Sequence, residues 1–299
     1  MAVYKRSYKP YDGPLTQERT RFLVLPRYAF QELFESRIIP AFLVLCLVPF
    51  LVELAMVYIA NSAPARALLR IEAPPGDFLE KQFFLGALTI QGFLAFFLTA
   101  WIAPVLVSPD LVNGALPLYL SRPFTRAEYV LGKATALLGL LSLITWVPVG
   151  IVFSVQAGLA GSAWLGSNLR TLLAILGGAW LWIFVLTLLG LAASAWIRWR
   201  LVASGALFAT LFMGSAFGEA WREVLKNPWG RLTNLPYLIG IIWTDLFGFN
   251  SRRPLARELL DDRRTADLPV WAAWLALLAV CAFCLWVLNR RLRAREVVV

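Results

Sequence analysis

The chain has 299 residues, of which 60% are hydrophobic and only 15% are charged. A soluble fold of this length could not bury so much apolar surface, so the composition excludes an ordinary globular protein and predicts one that spans a membrane. In such a protein the formal net charge of +10 indicates which side of the membrane the basic residues occupy, rather than nucleic-acid binding.

The residue types that most site chemistry needs are scarce. The chain has no histidine, which removes the commonest general base and metal ligand. Cys46, Cys281 and Cys284 lie in apolar runs, without the basic neighbours that activate a thiol. We therefore expect no catalytic residue, no metal site and no cofactor bound by this chain.

The first 37 residues are polar and charged, and no apolar segment of a cleavable signal peptide is visible near the start. The stretch 20–37 predicts an amphipathic helix that lies in the membrane interface. Its apolar side chains recur at helical spacing: Tyr28, Phe30, Leu33, Phe34 and Ile38. Such a helix would orient the first span, and a contact surface for a cytoplasmic partner is a second interpretation.

Six segments are apolar enough to cross a bilayer as helices, for which roughly 20 residues are needed. They are 38–60, 83–107, 134–155, 172–197, 201–218 and 269–288. The fifth is the shortest and is rich in small residues, which allow helices to approach closely in lipid, so we expect it inside the bundle. The sequence predicts an all-α integral membrane protein, with one transmembrane domain over 1–299.

Basic residues orient these spans. They concentrate before the first span, within 108–133, and after the fourth and sixth spans, whereas the short loops on the other side hold few. The positive-inside rule then makes both termini and 108–133 cytoplasmic. The apolar run 235–249 is short for a span and predicts a re-entrant or interfacial element. If it crossed, there would be seven spans and the C-terminal arginines would lie outside.

The segment 219–268 lies on the outer side in this topology. Pro228, Pro236 and Pro254 divide it, which predicts two or three short helices between the fifth and sixth spans. It would cap the outer mouth of the bundle or bind an extracytoplasmic partner, and a solvated connector is the alternative.

The cytoplasmic stretch 108–133 is the longest polar segment between two spans on that side. Asp110 is expected to cap a short helix from Leu111 to Leu120, and the Arg122–Pro123 pair ends it. A new helix begins near Ala127 and continues into the third span. A short helix held between two spans would transmit force from a cytoplasmic partner to both of them.

A nucleotide-binding loop is not expected in this stretch. The Gly132–Lys133 pair would need GxxxxGK[ST], but Ala127 replaces the first glycine and Ala134 follows the lysine. ATP hydrolysis by this chain is therefore not expected, and any ATPase activity would belong to a partner subunit.

The string NGALPLYLSRPFTRAEYVLGK, from Asn113 to Lys133, resembles the cytoplasmic loop of permease subunits of type-2 ATP-binding-cassette (ABC) transporters. The resemblance implies a homo- or heterodimer of permease subunits with two ATPase subunits that use ATP and Mg²⁺. It also implies a coupling helix between spans 2 and 3. The implied ATPase contacts are Asp110, Asn113, Tyr119, Arg122 and Arg126. For the two arginines, positive-inside topology alone is the alternative explanation.

The predicted spans contain one acid, Glu53, and one carboxamide, Gln91. Glu53 is about 15 residues, or roughly 23 Å, beyond the start of the first span, and Gln91 lies at a similar depth in the second. An acid within the membrane is costly and is by default a functional hypothesis. We expect both side chains to face the bundle interior and to line a path, or alternatively to hold the two spans together.

The resemblance therefore predicts the permease subunit of an exporter in a prokaryotic inner membrane. The apolar spans slightly favour a lipid-like or amphiphilic cargo. A mechanotransmitter that drives an extracytoplasmic partner without moving a substrate is the alternative. A membrane-embedded enzyme is disfavoured, since the chain lacks convergent catalytic groups.

Overall fold

The structure, a computed structural model, describes residues 24–70, 72, 79–113, 125–197, 199–249 and 268–291. All regular elements within these ranges are helices. The α-helices are α1 Val24–Glu35, α2 Ile38–Asn61, α3 Ala63–Leu69, α4 Lys81–Val112, α5 Arg126–Ile144, α6 Trp146–Ala160, α7 Ser162–Trp196, α8 Arg200–Phe208, α9 Gly214–Leu225, α10 Leu235–Leu246 and α11 Val270–Arg291. A π-helical turn, Ala209–Met213, joins α8 to α9, and a 3₁₀ helix, Pro228–Thr233, precedes α10.

Six helical segments in the described chain are long and apolar enough to span a membrane, which confirms the predicted number. Span 1 is α2, span 2 is α4, span 3 is α5 with α6, span 4 is α7, span 5 is α8 to α9, and span 6 is α11. The protein is therefore a multi-pass membrane protein, with a mean hydropathy of +0.69 over the whole chain.

Consecutive spans run in opposite directions, so the bundle has two ends. We call the end that holds Val112 and Arg126 the loop end. Span 6 finishes there, with the Arg291 guanidinium 5.1 Å from the ring of Trp196. At the opposite, far end the amide of Asn61 donates to Gln156 at 2.7 Å. The first and last described residues therefore lie on the same side of the bundle as the segment between spans 2 and 3.

Several spans are longer than the sequence predicts. Span 2 continues through Val112, and span 3 already begins at Arg126. Span 4 begins at Ser162, directly after Gly161, whose positive φ of 92° suits a tight reversal. Span 3 changes from α5 to α6 at Thr145, three residues before Pro148, because proline lacks the N–H that would continue the ladder.

The N-terminal helix α1 packs on span 3. Leu25, Ala29 and Leu33 recur every four residues on its buried face, and the ring of Phe30 lies close to Gly139. Tyr28 is exposed on the opposite side, where it suits the headgroup level of a bilayer. The amphipathic stretch is thus a helix from Val24 onward, with a protein-facing side and an exposed side that carries both aromatic and polar residues. Residues 20–23 of the predicted stretch lie outside the described residues.

Span 5 lies at the periphery of the described chain, so the prediction that it lies inside the bundle is wrong. One side contacts neighbouring elements, where Ser204 donates to the carbonyl of Ala100 and Gly214 meets the carbonyl of Thr233. Not all of its small residues are on that side, since Gly205 is exposed and a Cβ there would meet no atom within 4 Å. The other side carries large exposed side chains, among them Leu201 and Met213. A small-residue stripe brings a neighbour close on one face and does not enclose the helix.

Spans 2 and 4 form the centre of the bundle. The indole of Trp182 in span 4 donates to the carbonyl of Gly92 in span 2 at 2.8 Å. A side chain at Gly190 would collide with Ala103, because a Cβ there would be only 2.6 Å from that methyl group. Glycine at these crossings lets the two longest helices approach each other.

The apolar run after span 5 re-enters the bundle from the far end. The 3₁₀ helix returns along span 5, and α10 then packs against spans 4 and 6 with most of its side chains buried. The indole of Trp243 donates to the carbonyl of Gly178 at 3.0 Å. With 12 residues, α10 is about 18 Å long and too short to cross a bilayer. The seven-span alternative is therefore wrong.

The end of α10 is fixed from span 4. Arg170 donates from Nε to the carbonyl of Leu246 at 3.2 Å and from Nη2 to that of Asp245 at 3.1 Å. A cation at a helix C-terminus also compensates the helix dipole. Gly248 has a φ of +71° and lies against the guanidinium, so a larger residue fits neither the conformation nor the space.

Candidate coupling site

A polar cluster around Asp110 joins the turns of spans 2 and 3 at the loop end. The Lys133 Nζ atom lies 2.9 Å from Asp110 Oδ2, and the Tyr129 hydroxyl donates to the same oxygen at 2.7 Å. Tyr129 and Lys133 are four residues apart and therefore share one face of α5. Lys133 is 7% exposed, so this ion pair is shielded from water far more than a surface pair would be.

A capping box fixes where α5 begins. The backbone N–H of Glu128 donates to Thr125 Oγ1, and the Glu128 carboxylate accepts from the backbone N–H of Thr125 at 2.6 Å. This reciprocal arrangement satisfies two free donors of the first turn. It sets the register of α5, so Tyr129 and Lys133 face span 2.

A second cluster joins span 2 to span 4 at the same level. Ser194 Oγ accepts from the backbone N–H of Ser108 at 3.0 Å, and Ser108 Oγ donates to the carbonyl of Ile197 at 3.0 Å. Both serines are buried. Since Ser108 and Asp110 are two residues apart, the last turns of span 2 are tied to span 4 and to span 3 together.

The five residues that the sequence assigned to partner contact occupy different environments. Asn113 and Arg126 are exposed at the two edges of the segment between spans 2 and 3, where a partner can reach them. Tyr119 and Arg122, and the predicted coupling helix that carries them, lie outside the described residues.

Asp110 does not begin a new helix, and the prediction that it caps one is wrong. It lies within α4, three residues before the C-cap Asn113, and its carboxylate is used by Tyr129 and Lys133 instead. The helix of span 2 continues through Pro109 to Val112, although this proline removes one backbone N–H from the hydrogen-bond ladder. Asp110 thus joins span 2 to span 3, whereas Asn113 and Arg126 are the assigned contact residues that are exposed within the described chain.

Glu53 and Gln91, the acid and the carboxamide of the predicted spans, are both buried. Glu53 is 5% exposed and Gln91 is fully buried, and no side-chain oxygen or nitrogen of either has a hydrogen-bond partner within the described chain. Glu53 lies in the wall of a cavity between spans 1 and 2. Gln91 faces the interior, as predicted, but does not hydrogen-bond to Glu53.

A further polar cluster holds the re-entrant segment to span 5 near the far end. Arg231 Nε and Nη2 lie 2.9 and 3.1 Å from the two carboxylate oxygens of Glu219, and its guanidinium lies 4.5 Å from the ring of Tyr237. Burial acts to lower the pKa of Arg231, but the hydrogen bonds with Glu219 and Tyr237 raise it above its usual value. Bidentate pairing of this kind is the strongest form of arginine–carboxylate contact.

Sequence reasoning missed most members of these clusters. The sequence assigned Lys133 to the cytoplasmic stretch and excluded it from a nucleotide-binding loop, but its four-residue spacing from Tyr129 was a signal that both could meet one carboxylate. No sequence signal identifies the pairing of Ser108 with Ser194, since serine is common within membrane helices and the partner is 86 residues away.

Comparison with known families agrees with this architecture. The family model described as ABC-2 family transporter protein matches residues 29–238, which include the second half of α1, spans 1 to 5 and the start of the re-entrant helix. A comparison with individually curated proteins gave no match. Membership implies an ABC ATPase partner and dimerisation. The chain belongs to the ABC-2 transporter family, as one of its membrane subunits.

Proposed function

We propose that this chain is the permease subunit of an ABC exporter in a prokaryotic inner membrane, with its loop end and both termini in the cytoplasm. The ATPase subunits bind the segment between spans 2 and 3, through Asn113, Tyr119, Arg122 and Arg126. The observation that carries the proposal is the Asp110 cluster, because it makes the two helices that flank this segment move as one unit.

The mechanism follows from the two polar clusters at the loop end, one around Asp110 and one formed by Ser108 with Ser194. When ATP closes a pair of ATPase subunits, each displaces the segment that it holds. The Asp110 cluster passes this displacement to span 3, and the Ser108 cluster passes it to span 4. Spans 2, 3 and 4 then shift together against the peripheral spans, which is a population shift driven by the preference of ATP for one state. This chain transmits the displacement to its spans, while its partner binds ATP and Mg²⁺.

The cargo is proposed to be amphiphilic. Spans 1, 5 and 6 expose long apolar surfaces, and a cavity of about 700 Å³ with mainly apolar walls opens between spans 1 and 2. A pair of permease subunits, alike or different, would place two such cavities in one transporter. Lipid-like molecules could enter them from the bilayer without crossing water.

The test is affinity purification of the tagged chain from its native membrane in a mild detergent. We expect a soluble ATPase in stoichiometric amount, lost when Tyr119 and Arg122 are both replaced by alanine. Arg290→Ala is the matched control, because it removes a positive charge from an exposed residue at the same end of the bundle but outside the segment. Recovery of no ATPase with the wild-type chain would contradict the proposal.

A further inference from the structure

A cavity of about 700 Å³ lies between spans 1 and 2, in the half of the bundle away from the loop end. Its walls are one face of α2 from Val48 to Met56 and one face of α4 from Gln82 to Ile90. Cavities of roughly 300 to 1,000 Å³ are typical of small-molecule sites. Most of the wall is apolar, and Glu53 is the one acid in it.

Glu53 lacks the partner that a buried carboxyl group requires. Both of its oxygens are buried without a hydrogen bond, and no ion pair joins it to a base within the described chain. An unpaired carboxyl group in an apolar setting destabilises the fold. A role in joining spans 1 and 2 would need a polar contact to span 2, but Gln91 is itself unpaired. Glu53 lines the adjoining cavity, but its oxygens are covered, so the carboxyl group must turn toward the cavity to meet a partner there.

We infer that this cavity binds an amphiphile whose headgroup is a protonated amine, with the ammonium group against Glu53 and the alkyl chain along the apolar wall. A metal ion does not fit, because one carboxylate among apolar side chains cannot supply the several oxygens that a hard cation needs. Val48 and Val52 are about half exposed on the membrane-facing side, which gives the alkyl chain a route from lipid. This rests on the proposed function, since it names the headgroup class of the cargo.

The test uses the full chain in nanodiscs whose only lipid is phosphatidylcholine, so that no lipid carries a primary amine. The probe is dodecylamine with a diazirine in its alkyl chain, and labelled peptides are mapped by mass spectrometry after photolysis. We expect labelling within 48–56 and 82–90, with dodecylamine competing about tenfold better than dodecanol, the effect of one charge-assisted hydrogen bond. Glu53→Gln keeps the shape of the side chain and should abolish this preference for the amine.

Two glycine variants provide a matched pair. A Cβ at Gly86 meets no atom within 4 Å, so Gly86→Leu projects into the cavity without disturbing the fold. Gly177→Leu on span 4 has equally open surroundings and does not face this cavity. We expect labelling to be lost in Gly86→Leu and retained in Gly177→Leu.

Three results would overturn the inference: labelling elsewhere in the chain, equal competition by amine and alcohol, or retained amine preference in Glu53→Gln. A disulfide between two copies of Met56→Cys that dodecylamine does not prevent would also overturn it, since the cavity would then hold a second subunit. None of these results depends on the ATPase. If an ATPase co-purifies but labelling is not amine-selective, the proposed function stands and this inference fails. If labelling is amine-selective but no ATPase co-purifies, the cavity binds the amine and the proposed function fails.

Discussion

Lys133 and Asp110 form an ion pair of 2.9 Å that joins the beginning of span 3 to the end of span 2. The two residues flank the segment that the family resemblance assigns to ATPase contact. With Tyr129 on the same carboxylate, they fix the spacing of the two helices from which this segment emerges. A displacement applied to the segment therefore reaches both spans.

Asp110→Asn should uncouple ATP hydrolysis from transport without releasing the ATPase. The variant loses the ion pair but keeps an oxygen for Tyr129, so we expect a loss of about 1 to 3 kcal/mol in the free energy of unfolding. The measurement is cargo-stimulated ATP hydrolysis by the purified complex. We expect stimulation to fall at least about tenfold, the effect of losing roughly 1.4 kcal/mol of coupling.

The charge swap Asp110→Lys with Lys133→Asp is the control for that prediction. It restores an ion pair at the same place, so part of the stimulation should return, whereas Lys133→Asp alone should remain uncoupled. Normal stimulation in Asp110→Asn would show that the pair only stabilises the fold.

Ser108→Ala and Ser194→Ala should have effects that do not add. Each removes part of one hydrogen-bonded cluster between spans 2 and 4, so the double variant should lose little more stability than the worse single one. Thermal unfolding in detergent measures this, with Ser154→Ala as control, because Ser154 is exposed and bonds only to Gly150 of its own helix. Additive losses would mean that the two serines act independently.

Glu219→Gln should destabilise the re-entrant segment. The variant leaves the buried guanidinium of Arg231 without its anion, and because Glu219 is itself more than a third exposed, we expect about 2 to 3 kcal/mol rather than the full cost of breaking a buried pair. Glu223→Gln, four residues on in α9 and 74% exposed, is the matched control. Protease accessibility of 228–246 should rise in Glu219→Gln only.

Replacing 250–267 with a Gly/Ser linker of equal length should separate a transporter from a mechanotransmitter. The change spares the 3₁₀ helix and α10, which are packed into the bundle, so we expect the chain to fold and to retain its ATPase. A transporter should retain cargo-stimulated ATP hydrolysis, although its selectivity can change. Loss of an extracytoplasmic partner together with all activity would favour the mechanotransmitter instead.

The number of spans and the alternation of their directions could be predicted from sequence because hydrocarbon imposes a length on every apolar helix. The re-entrant nature of 235–249 followed from the same rule. Helix ends were less predictable: span 3 begins eight residues before its apolar run, where the Thr125–Glu128 capping box satisfies the first turn. The Thr125–Glu128 spacing is visible in the sequence and is a physical signal for the start of a helix.

The polar contacts between helices could not be predicted, since they depend on helix rotation and register. Asp110 is a good N-cap residue by type, but the continuing helix of span 2 presents it to Tyr129 and Lys133. The prediction for span 5 was wrong for a related reason, because a count of small residues does not show which of them contact another helix. Burial of Glu53 and Gln91 was predicted correctly, since a polar side chain facing lipid would be costlier still.

The central claim is that the ATPase binds at the loop end, against the segment that the Asp110 cluster holds. The most direct test places a photo-crosslinking amino acid at Asn113 or Arg126, and at Trp271 for comparison, in the chain within its native membrane. Asn113 and Arg126 border the segment, whereas Trp271 is exposed at the far end. The account predicts a crosslink to an ABC ATPase from 113 and 126 and none from 271, and an ATPase crosslinked only from 271 would contradict it.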